Sequence, residues 1–395
     1  MADRHIVVYD IARAVAVLLV LAGHSGYYSV MMTPYGGIDY QSAMQAAGIA
    51  DTAIHMRAGI VIDGIYTFHM RVFFALSGAV FFLRFQQGAY QDLRAFLKKK
   101  ARRLLVPFFV VTTCCVVPLK YLAGYWDGHS RLLHDVFVSQ YLLLDNHLWF
   151  LVILFLAFLA WGMVLASSPV LRRFLSQVHP LRTELIVFAG AMLFLFIWDT
   201  FSQFLMEGMR QHGYGGFTNL GLLVEFFGWG IAWMAVGMMM EKLRHRLPAQ
   251  HGSTFRVVAL TVVLMCLFVA ADFARGGLPF PGGHRGIALR EAWLLGVTML
   301  GVAMTFSFSY CLAATRLAAS RSLRRFSRDS MGIYLYSDPW NYIFLAIFVV
   351  AFGLQGFGVP ELATMLLIGR FFLTLIFSWC ITLLSRRVSR AVQFL

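Results

Sequence analysis

Long apolar runs separated by short polar segments divide this chain from end to end. A helix needs about 20 mostly apolar residues to cross a membrane. Runs of roughly that length cover residues 7–32, 62–83, 104–123, 147–166, 184–201, 219–240, 256–273, 288–315, 330–353 and 362–384. The pattern predicts an all-α polytopic membrane protein with about ten transmembrane helices. It also predicts a single transmembrane domain over residues 1–395, with no separate soluble domain.

Composition supports a membrane location. Charged residues make up 13% of the chain and hydrophobic residues 59%, with a mean hydropathy of +0.71. A soluble domain typically has about 25% charged residues, so a soluble fold of this length could not cover its surface. The 33 Lys and Arg residues give a formal net charge of +14. In a membrane protein such an excess usually lies in cytoplasmic loops, so no nucleic-acid partner is expected.

Basic residues gather in alternate connections between the apolar runs. The groups lie at 84–103, 172–182, 242–256, 316–328 and 386–390. The positive-inside rule assigns these connections to the cytoplasm, and with them both the N-terminus and the C-terminus. The polar segments 33–61 and 124–146 are then external. They are interpreted either as the mouth for a hydrophilic substrate or as simple connections.

Ionisable residues inside apolar runs are costly in a membrane and are candidates for function. In the first run Arg13 and His24 are eleven residues apart, which places them on one face of a helix, about 16 Å apart along its axis. His24 is a candidate general base, because an imidazole titrates near neutral pH. The other interpretation is a hydrogen-bonded structural histidine.

The second and ninth runs also carry charge. His69 and Arg71 lie in the second run, and Arg71 is about 20 Å from its cytoplasmic end. Asp338 lies near the middle of the ninth run, beside Pro339, where a kink is expected. Asp338 is interpreted either as part of a hydrated functional pocket or as an ion-pair partner of Arg71. The polar residues that would share the pocket are Tyr334, Tyr336, Ser337 and Asn341.

Two residues at the start of the fourth run are further candidates. His147 is interpreted as a substrate contact or as a solvated residue at a helix start. Trp149 fits an aromatic belt at the membrane interface. No nucleotide-binding loop and no metal-binding motif appears in the sequence, so no metal site is expected.

A run of cations precedes the third apolar run. It consists of Lys98, Lys99, Lys100, Arg102 and Arg103. Clustered cations beside a helix end can hold the phosphates of a nucleotide-like donor. The other interpretation is an anchor that fixes the topology.

These motifs, in this order, resemble the acyltransferase-3 family of integral membrane acyltransferases. Asp10-x-x-Arg13 followed by His24 resembles the opening motif of that family, and Val72–Gly78 resembles its signature in helix 2. The basic stretch that ends at Pro107 is similar to its basic loop, and His147–Leu151 to a further motif. The resemblance covers most of the chain. The helix-2 stretch and the histidine–tryptophan stretch look closest to the branch that includes the succinyltransferases of periplasmic glucans.

The sequence departs from the family pattern at two places. Lys100 stands where the basic motif usually has its first arginine, which weakens any bidentate phosphate contact there. Ser337 and Asp338 stand where many relatives carry a histidine. The role of that histidine therefore cannot be carried over to this chain.

The resemblance implies transfer of an acetyl or succinyl group from cytoplasmic acyl-CoA to a hydroxyl of an extracytoplasmic glycan, by a multi-pass protein of the cell membrane, the bacterial inner membrane. Acyl-CoA is then a donor substrate, no tightly bound cofactor is expected, and the remaining partners are membrane lipid and the glycan. The donor head is expected among the basic run and Arg13. The acceptor would contact His69, His147, Trp149, Ser337 and Asn341. The oligomeric state is left open.

Two mechanisms are open for His24. It removes the proton from the acceptor hydroxyl, or it carries the acyl group as an acyl-histidine. Arg71, Tyr334 or Tyr336 would stabilise the developing oxyanion. Asp338 would orient His24 or neutralise Arg71. The alternative function is a polytopic transporter or flippase for a lipid-linked sugar or organic anion, which would also place charges inside helices.

Overall fold

The computed structural model describes residues 2–26, 39–49, 53–88, 90, 92–177, 179–212, 218–244, 254–275 and 277–393. Helices account for most of these residues. The end of the first predicted run, 27–32, and parts of the predicted outer segment 33–61 lie outside the described residues.

The helices follow one another along the chain with short connections. They are α1 (Ala2–Ser25), α2 (Tyr40–Ala46), α3 (Ala53–Gln86), α4 (Leu93–Val111), α5 (Val117–Leu122), α6 (Leu132–Phe137), α7 (Trp149–Ser167), α8 (Pro169–Ser176), α9 (Leu181–Gln211), α10 (Thr218–Arg244), α11 (Thr254–Arg275), α12 (Gly283–Ala313), α13 (Arg321–Gly356) and α14 (Pro360–Gln393). Two π-helical segments, Thr112–Val116 and Val138–Leu142, and one 3₁₀ turn, Arg316–Ala319, complete the described helical structure.

Within the described residues, 10 helical stretches are long and apolar enough to cross a membrane. This confirms the predicted all-α class and the predicted number of spans. The cytoplasmic location of the two termini and the single domain over 1–395 stay predictions.

The third span begins earlier than its hydropathy suggests. The span covers Leu93–Leu122, so the basic run lies within a helix and not in a loop. The prediction of a basic loop was wrong in this respect. Leu, Lys, Arg and Ala all have high helix propensity, and neither Gly nor Pro interrupts the chain between Leu93 and Val106. The hydropathy pattern therefore locates the apolar part of this span but not the residue at which the helix begins.

The ninth span, α13, also differs from expectation. The helix continues through Pro339, and its backbone leaves helical geometry at Gly353, where φ is 65° and ψ is 170°. Membrane helices tolerate proline because neighbouring groups can satisfy the carbonyl that it leaves without a donor. Glycine adopts a positive φ at little steric cost, which explains why the interruption falls at Gly353.

The chain forms two compact units. The first unit consists of Met1–Ala12, Thr67–Phe108 and Trp149–Arg316. In it α9 packs on α10 and α12, and α11 packs on α12. Helices α3 and α10 approach closely at Gly237, where an added Cβ would lie 1.8 Å from the carbonyl oxygen of Ala75. Small residues allow such contacts between membrane helices.

The second unit consists of Arg13–Tyr66, Phe109–Leu148 and Leu317–Leu395. Its main helix pair is α13 against α14. A small apolar core lies at one end of this pair and includes α2. The buried residues of that core are Met44, Ile49, Leu345, Phe357 and Leu366. This unit contains His24, His147 and Asp338, three of the residues that the sequence singles out.

Candidate active site

A carboxylate of the second unit lies between two histidines. Oδ1 of Asp338 is 2.8 Å from Nδ1 of His24, and Oδ2 is 3.3 Å from Nδ1 of His147. The two imidazole rings are 6.3 Å apart and nearly perpendicular. The side chain of His147 is 4% exposed and that of His24 is 13% exposed. His24 is therefore the more accessible histidine of the three-residue group.

The contact with Asp338 prepares His24 to accept a proton. A carboxylate beside Nδ1 favours a proton on that nitrogen, so the neutral ring carries its lone pair on Nε2. Neither histidine directs Nδ1–H straight at the carboxylate in this conformation. Hydrogen bonds of catalytic groups are often poorly aligned before substrate binds, and a small rotation of the ring would align this one.

His147 is held differently from His24. Its Nε2 lies 3.2 Å from the carbonyl oxygen of Leu335, and its Nδ1 faces Asp338. Both ring nitrogens therefore face acceptors, and only a protonated imidazole can donate to both at once. His147 is therefore held between the backbone of α13 and the carboxylate of Asp338.

Side chains of α13 hold the backbone of both histidines. The amide of Asn341 donates to the carbonyl of His24 at 2.9 Å, and the hydroxyl of Tyr334 donates to the carbonyl of His147. Tyr334, Asp338 and Asn341 are spaced by four and three residues, so they lie on one face of the helix. One face of α13 therefore positions the whole group.

Three residues with predicted roles in the site already have hydrogen-bond partners within the protein. The single hydroxyl proton of Tyr334 is directed at the carbonyl of His147, so an oxyanion would compete with that bond. The hydroxyl of Ser337 is buried and donates to the carbonyl of Tyr334 at 3.0 Å. Tyr336 lies 3.1 Å from the hydroxyl oxygen of Ser385. The catalytic and substrate-binding roles of these residues stay predictions.

The segment before His147 is strained and closely bonded. Leu144 has a φ of 50°, a left-handed conformation that residues other than glycine seldom adopt. The amide of Asn146 donates to the carbonyl of Gln140 at 3.1 Å, and its oxygen accepts from the backbone N–H of Leu148 at 2.9 Å. Strain of this kind persists only where surrounding contacts enforce it, and it is frequent at functional sites.

A buried lysine helps to hold this segment in its strained conformation. Lys120 is 8% exposed, and its ammonium donates to the carbonyl of Asp145. The same ammonium lies 3.9 Å from Oδ2 of Asp145 and 4.2 Å from the centre of the Tyr125 ring. Burial raises the pKa of Asp145, and the neighbouring ammonium acts in the opposite direction. Lys120 therefore ties the third span to the residues that precede His147.

The basic run lies in the first unit, on α4. Lys98, Lys99, Arg102 and Arg103 are exposed. Lys100 is half-buried between Phe96 and Leu104, and its ammonium lies 3.5 Å from the centre of the Phe158 ring. Four of the five cations are therefore open to an anionic ligand, while Lys100 makes a cation–π contact within the unit.

The charged residue of the second span has acidic neighbours in the first unit. The guanidinium of Arg71 lies 3.4 Å from the centre of the Trp229 ring, and Asp199, Glu225 and Glu291 act on it electrostatically. Asp338 instead faces two histidines. These partners differ from those of the alternative prediction, in which Arg71 and Asp338 form an ion pair.

Two other residues that the sequence predicts to contact substrate, His69 and Trp149, lie in the first unit. His69 is 2% exposed. Trp149 stacks on Phe226 with ring centres 3.9 Å apart. Both residues pack within the unit, and a role in substrate binding stays a prediction for each.

Comparison with known families identifies the chain. It matches the family model of the acyltransferase domain, Acyl_transf_3, over residues 6–383. The chain belongs to the acyltransferase-3 family. No curated protein and no solved structure shows a significant match to it.

Family membership together with the ten apolar helices makes this protein a multi-pass membrane acyltransferase. It favours the enzyme over the predicted alternative of a transporter. The described residues of the acyltransferase contain no group of three or more His, Cys, Asp or Glu that could hold a metal ion.

Sequence reasoning missed several polar residues of this acyltransferase. Lys120 sits in a predicted span and was detectable as an ionisable residue inside an apolar run. Asp199, Glu225 and Glu291 carry the same signal. The pairing of His147 with Asp338 has no such signal, because the two residues are far apart in sequence and only the fold brings them together.

Proposed function

We propose that this acyltransferase transfers a short acyl group, acetyl or succinyl, from acyl-CoA to a hydroxyl of an extracytoplasmic glycan. The observation that carries the proposal is the contact of Asp338 with Nδ1 of His24. It leaves Nε2 of His24 as a base in a site that is mostly closed to water. The bacterial inner membrane is the proposed location.

His24 acts as a general base in the proposed reaction. Its Nε2 takes the proton from the acceptor hydroxyl while the hydroxyl oxygen attacks the thioester carbonyl. The carbon–sulfur bond then breaks, and the departing thiolate of CoA receives that proton from His24. The products are the glycan ester and CoA, and the base returns to its starting state.

Asp338 stabilises the imidazolium that forms on His24 during the reaction. His147 limits the negative charge of that carboxylate, because its protonated form would hold the second oxygen. An acyl-histidine mechanism would use the same Nε2 as a nucleophile. The two mechanisms differ in whether CoA is released before the acceptor binds.

The exposed cations of α4 support acyl-CoA as the donor. Lys98, Lys99, Arg102 and Arg103 present four positive charges on less than two turns of helix. The phosphates of CoA are the anions that such a cluster binds well. Lys100 is not needed for this contact, because its ammonium lies on Phe158.

Acyl transfer by the purified protein tests the proposal. The full chain in detergent is incubated with radiolabelled acetyl-CoA or succinyl-CoA and a β-glucan oligosaccharide. We expect label on the oligosaccharide and an equal amount of free CoA. The same protein in liposomes should not accumulate the oligosaccharide. Uptake without labelling would contradict the proposal and support a carrier. CoA release before acceptor is added would favour the acyl-histidine mechanism.

A further inference from the structure

The first unit contains a polar cavity whose lining includes no residue used in the proposed reaction. Its volume is about 100 Å³, and its polar lining consists of Arg71, Asp199, Gln203, Glu225, Arg290 and Glu291. Since one water occupies about 30 Å³ of the liquid, the cavity has room for about three waters or for the edge of one small polar ligand. Charged residues within apolar spans are costly, so this group needs an explanation.

Each carboxylate of the cavity uses one of its two oxygens. Asp199 accepts from the indole of Trp229 at 3.0 Å, and Glu225 accepts from the amide of Gln203 at 3.2 Å. Oε1 of Glu291 accepts from Arg290 at 3.2 Å. Among the described residues, no hydrogen-bond donor reaches the second oxygen of any of the three.

Two of these second oxygens belong to buried side chains, while Asp199 is partly exposed. Glu225 is 7% exposed and Glu291 is 6% exposed. Buried polar atoms are normally hydrogen-bonded, and a network with a purely structural role is expected to use both oxygens of its carboxylates. None of the three second oxygens is a buried atom without a partner, so they are open to the cavity, and a ligand or water within it can donate to them.

The mixed charge of the lining selects the kind of ligand. The lining carries two guanidinium groups and three carboxylates, so neither a simple cation nor a simple anion can pair with all of its charged groups. A neutral hydroxyl donates one hydrogen bond and accepts others, so it can pair with a carboxylate and a guanidinium at the same time. A ligand that carries several hydroxyl groups on a small frame matches this lining best.

The predicted topology places the cavity on the outer side of the membrane. Glu225 lies seven residues after the start of α10 and Glu291 eight residues after the start of α12, which is about 10 Å and about 12 Å along each helix. Both helices begin outside in the topology that the positive-inside rule predicts. Extracytoplasmic glycans are found on that side.

We propose that this cavity binds the hydroxyl groups of one sugar unit, with Asp199, Glu225 and Glu291 as acceptors and Arg71 and Arg290 as donors. The identification of that sugar with the acyl acceptor rests on the proposed function. The sugar-binding site itself does not.

Direct binding tests this proposal with the full chain in detergent and without an acyl donor. Methyl β-D-glucopyranoside is titrated by calorimetry, and methylammonium chloride and sodium acetate are titrated in parallel. We expect saturable binding of the glucoside only. Binding of methylammonium without the glucoside would make the cavity a cation site, and no binding of any probe would make it a structural network. Either result overturns the proposal.

A matched pair of variants assigns the binding to the cavity. Glu225→Gln removes one acceptor charge and should weaken glucoside binding at least tenfold. Glu207→Gln is the control, because Glu207 lies on the same unit, is partly exposed and pairs with the exposed Arg210. If Glu225→Gln fails to fold, Gln203→Met, which removes an uncharged partner of Glu225, should weaken binding in the same direction. Unchanged affinity in a folded cavity variant would place the glucoside elsewhere.

The outcomes separate this proposal from the proposed function. A protein that transfers acyl groups but binds no glucoside at the cavity contradicts only the sugar site. A protein that binds the glucoside but transfers no label from either acyl-CoA contradicts only the proposed function.

Discussion

Asp338 lies between two histidines whose surroundings differ. Its two oxygens contact Nδ1 of His24 and Nδ1 of His147, and the carbonyl of Leu335 lies beside the other nitrogen of His147. In the proposed reaction, the nitrogen of His24 that faces away from the carboxylate removes the proton. The neighbours of each ring, and not the residue type, distinguish the two histidines.

Asp338→Asn should lower the rate of acyl transfer by at least ~10²-fold, the lower range for loss of general-base catalysis. The amide keeps the size of the side chain but removes the charge that stabilises a protonated His24. The KM for acyl-CoA should change little, since the proposed contacts with the donor phosphates are made by the cations of α4. Steady-state kinetics on the purified variant measures both values. Asp127→Asn, on an exposed residue of the outer segment, is the control and should behave as the natural protein.

Lys120→Met should destabilise the protein and displace His147. Breaking a buried ion pair by removing one partner typically costs about 3–5 kcal/mol. Loss of the ammonium raises the pKa of Asp145 further, since burial already raises it. A group whose folded-state pKa is raised stabilises the fold most at low pH and loses that contribution as pH rises. The Tm deficit relative to the natural protein should therefore be larger at pH 7 than at pH 5.

The double variant Lys120→Met/Asp145→Asn provides the control for this pair. It removes the uncompensated carboxylate, so part of the lost Tm should return and the extra pH dependence should disappear. Equal deficits at both pH values in the single variant would show that the pair does not carry the effect.

At the scale of helices, α13 and α4 present different kinds of side chain. One face of α13 carries the carboxylate and the two side chains that hold the backbones of His24 and His147. The exposed faces of α4 carry cations, while its half-buried Lys100 contacts Phe158. A helix orients its side chains by a fixed period, so residues three and four positions apart act together in both cases.

Charge reversal on α4 should act on donor binding. Lys98→Glu, Lys99→Glu and Arg102→Glu together should raise the KM for acyl-CoA more than they lower kcat, because phosphate contacts hold ground state and transition state alike. Among single changes, Arg103→Glu should have the largest effect. Lys100→Met should instead lower Tm and leave the KM nearly unchanged. A KM that does not respond to any reversal would make the run a topology anchor only.

The whole molecule was predictable in outline from its sequence. Ten apolar runs give ten spans because apolarity and length alone decide membrane insertion. The basic stretch was predicted to be a loop because a hydropathy pattern does not detect a helix that is rich in charged residues. The contact of His147 with Asp338 depends on packing between distant segments, which no local pattern encodes. The same holds for the neighbours of Arg71, for which the sequence offered an ion pair with Asp338 only as one of two interpretations.

Membrane topology is a property of the whole chain and has a direct test. A reporter fused after Leu395 should be active only in the cytoplasm, and one inserted near Gly128 only outside, as the positive-inside rule requires. Activity of alkaline phosphatase and of a fluorescent protein at the two positions distinguishes the sides. The reverse pattern would place the cations of α4 outside, where acyl-CoA is absent.

The most direct test of the account is acyl transfer by His24→Gln. Glutamine keeps hydrogen-bonding capacity but cannot accept a proton at neutral pH, so the rate of label transfer from acyl-CoA should fall at least ~10²-fold. The variant should keep its Tm and its affinity for CoA. His134→Gln, at a side chain that is 65% exposed, should transfer label at the natural rate. Full activity of His24→Gln would contradict the account and remove His24 from the chemistry.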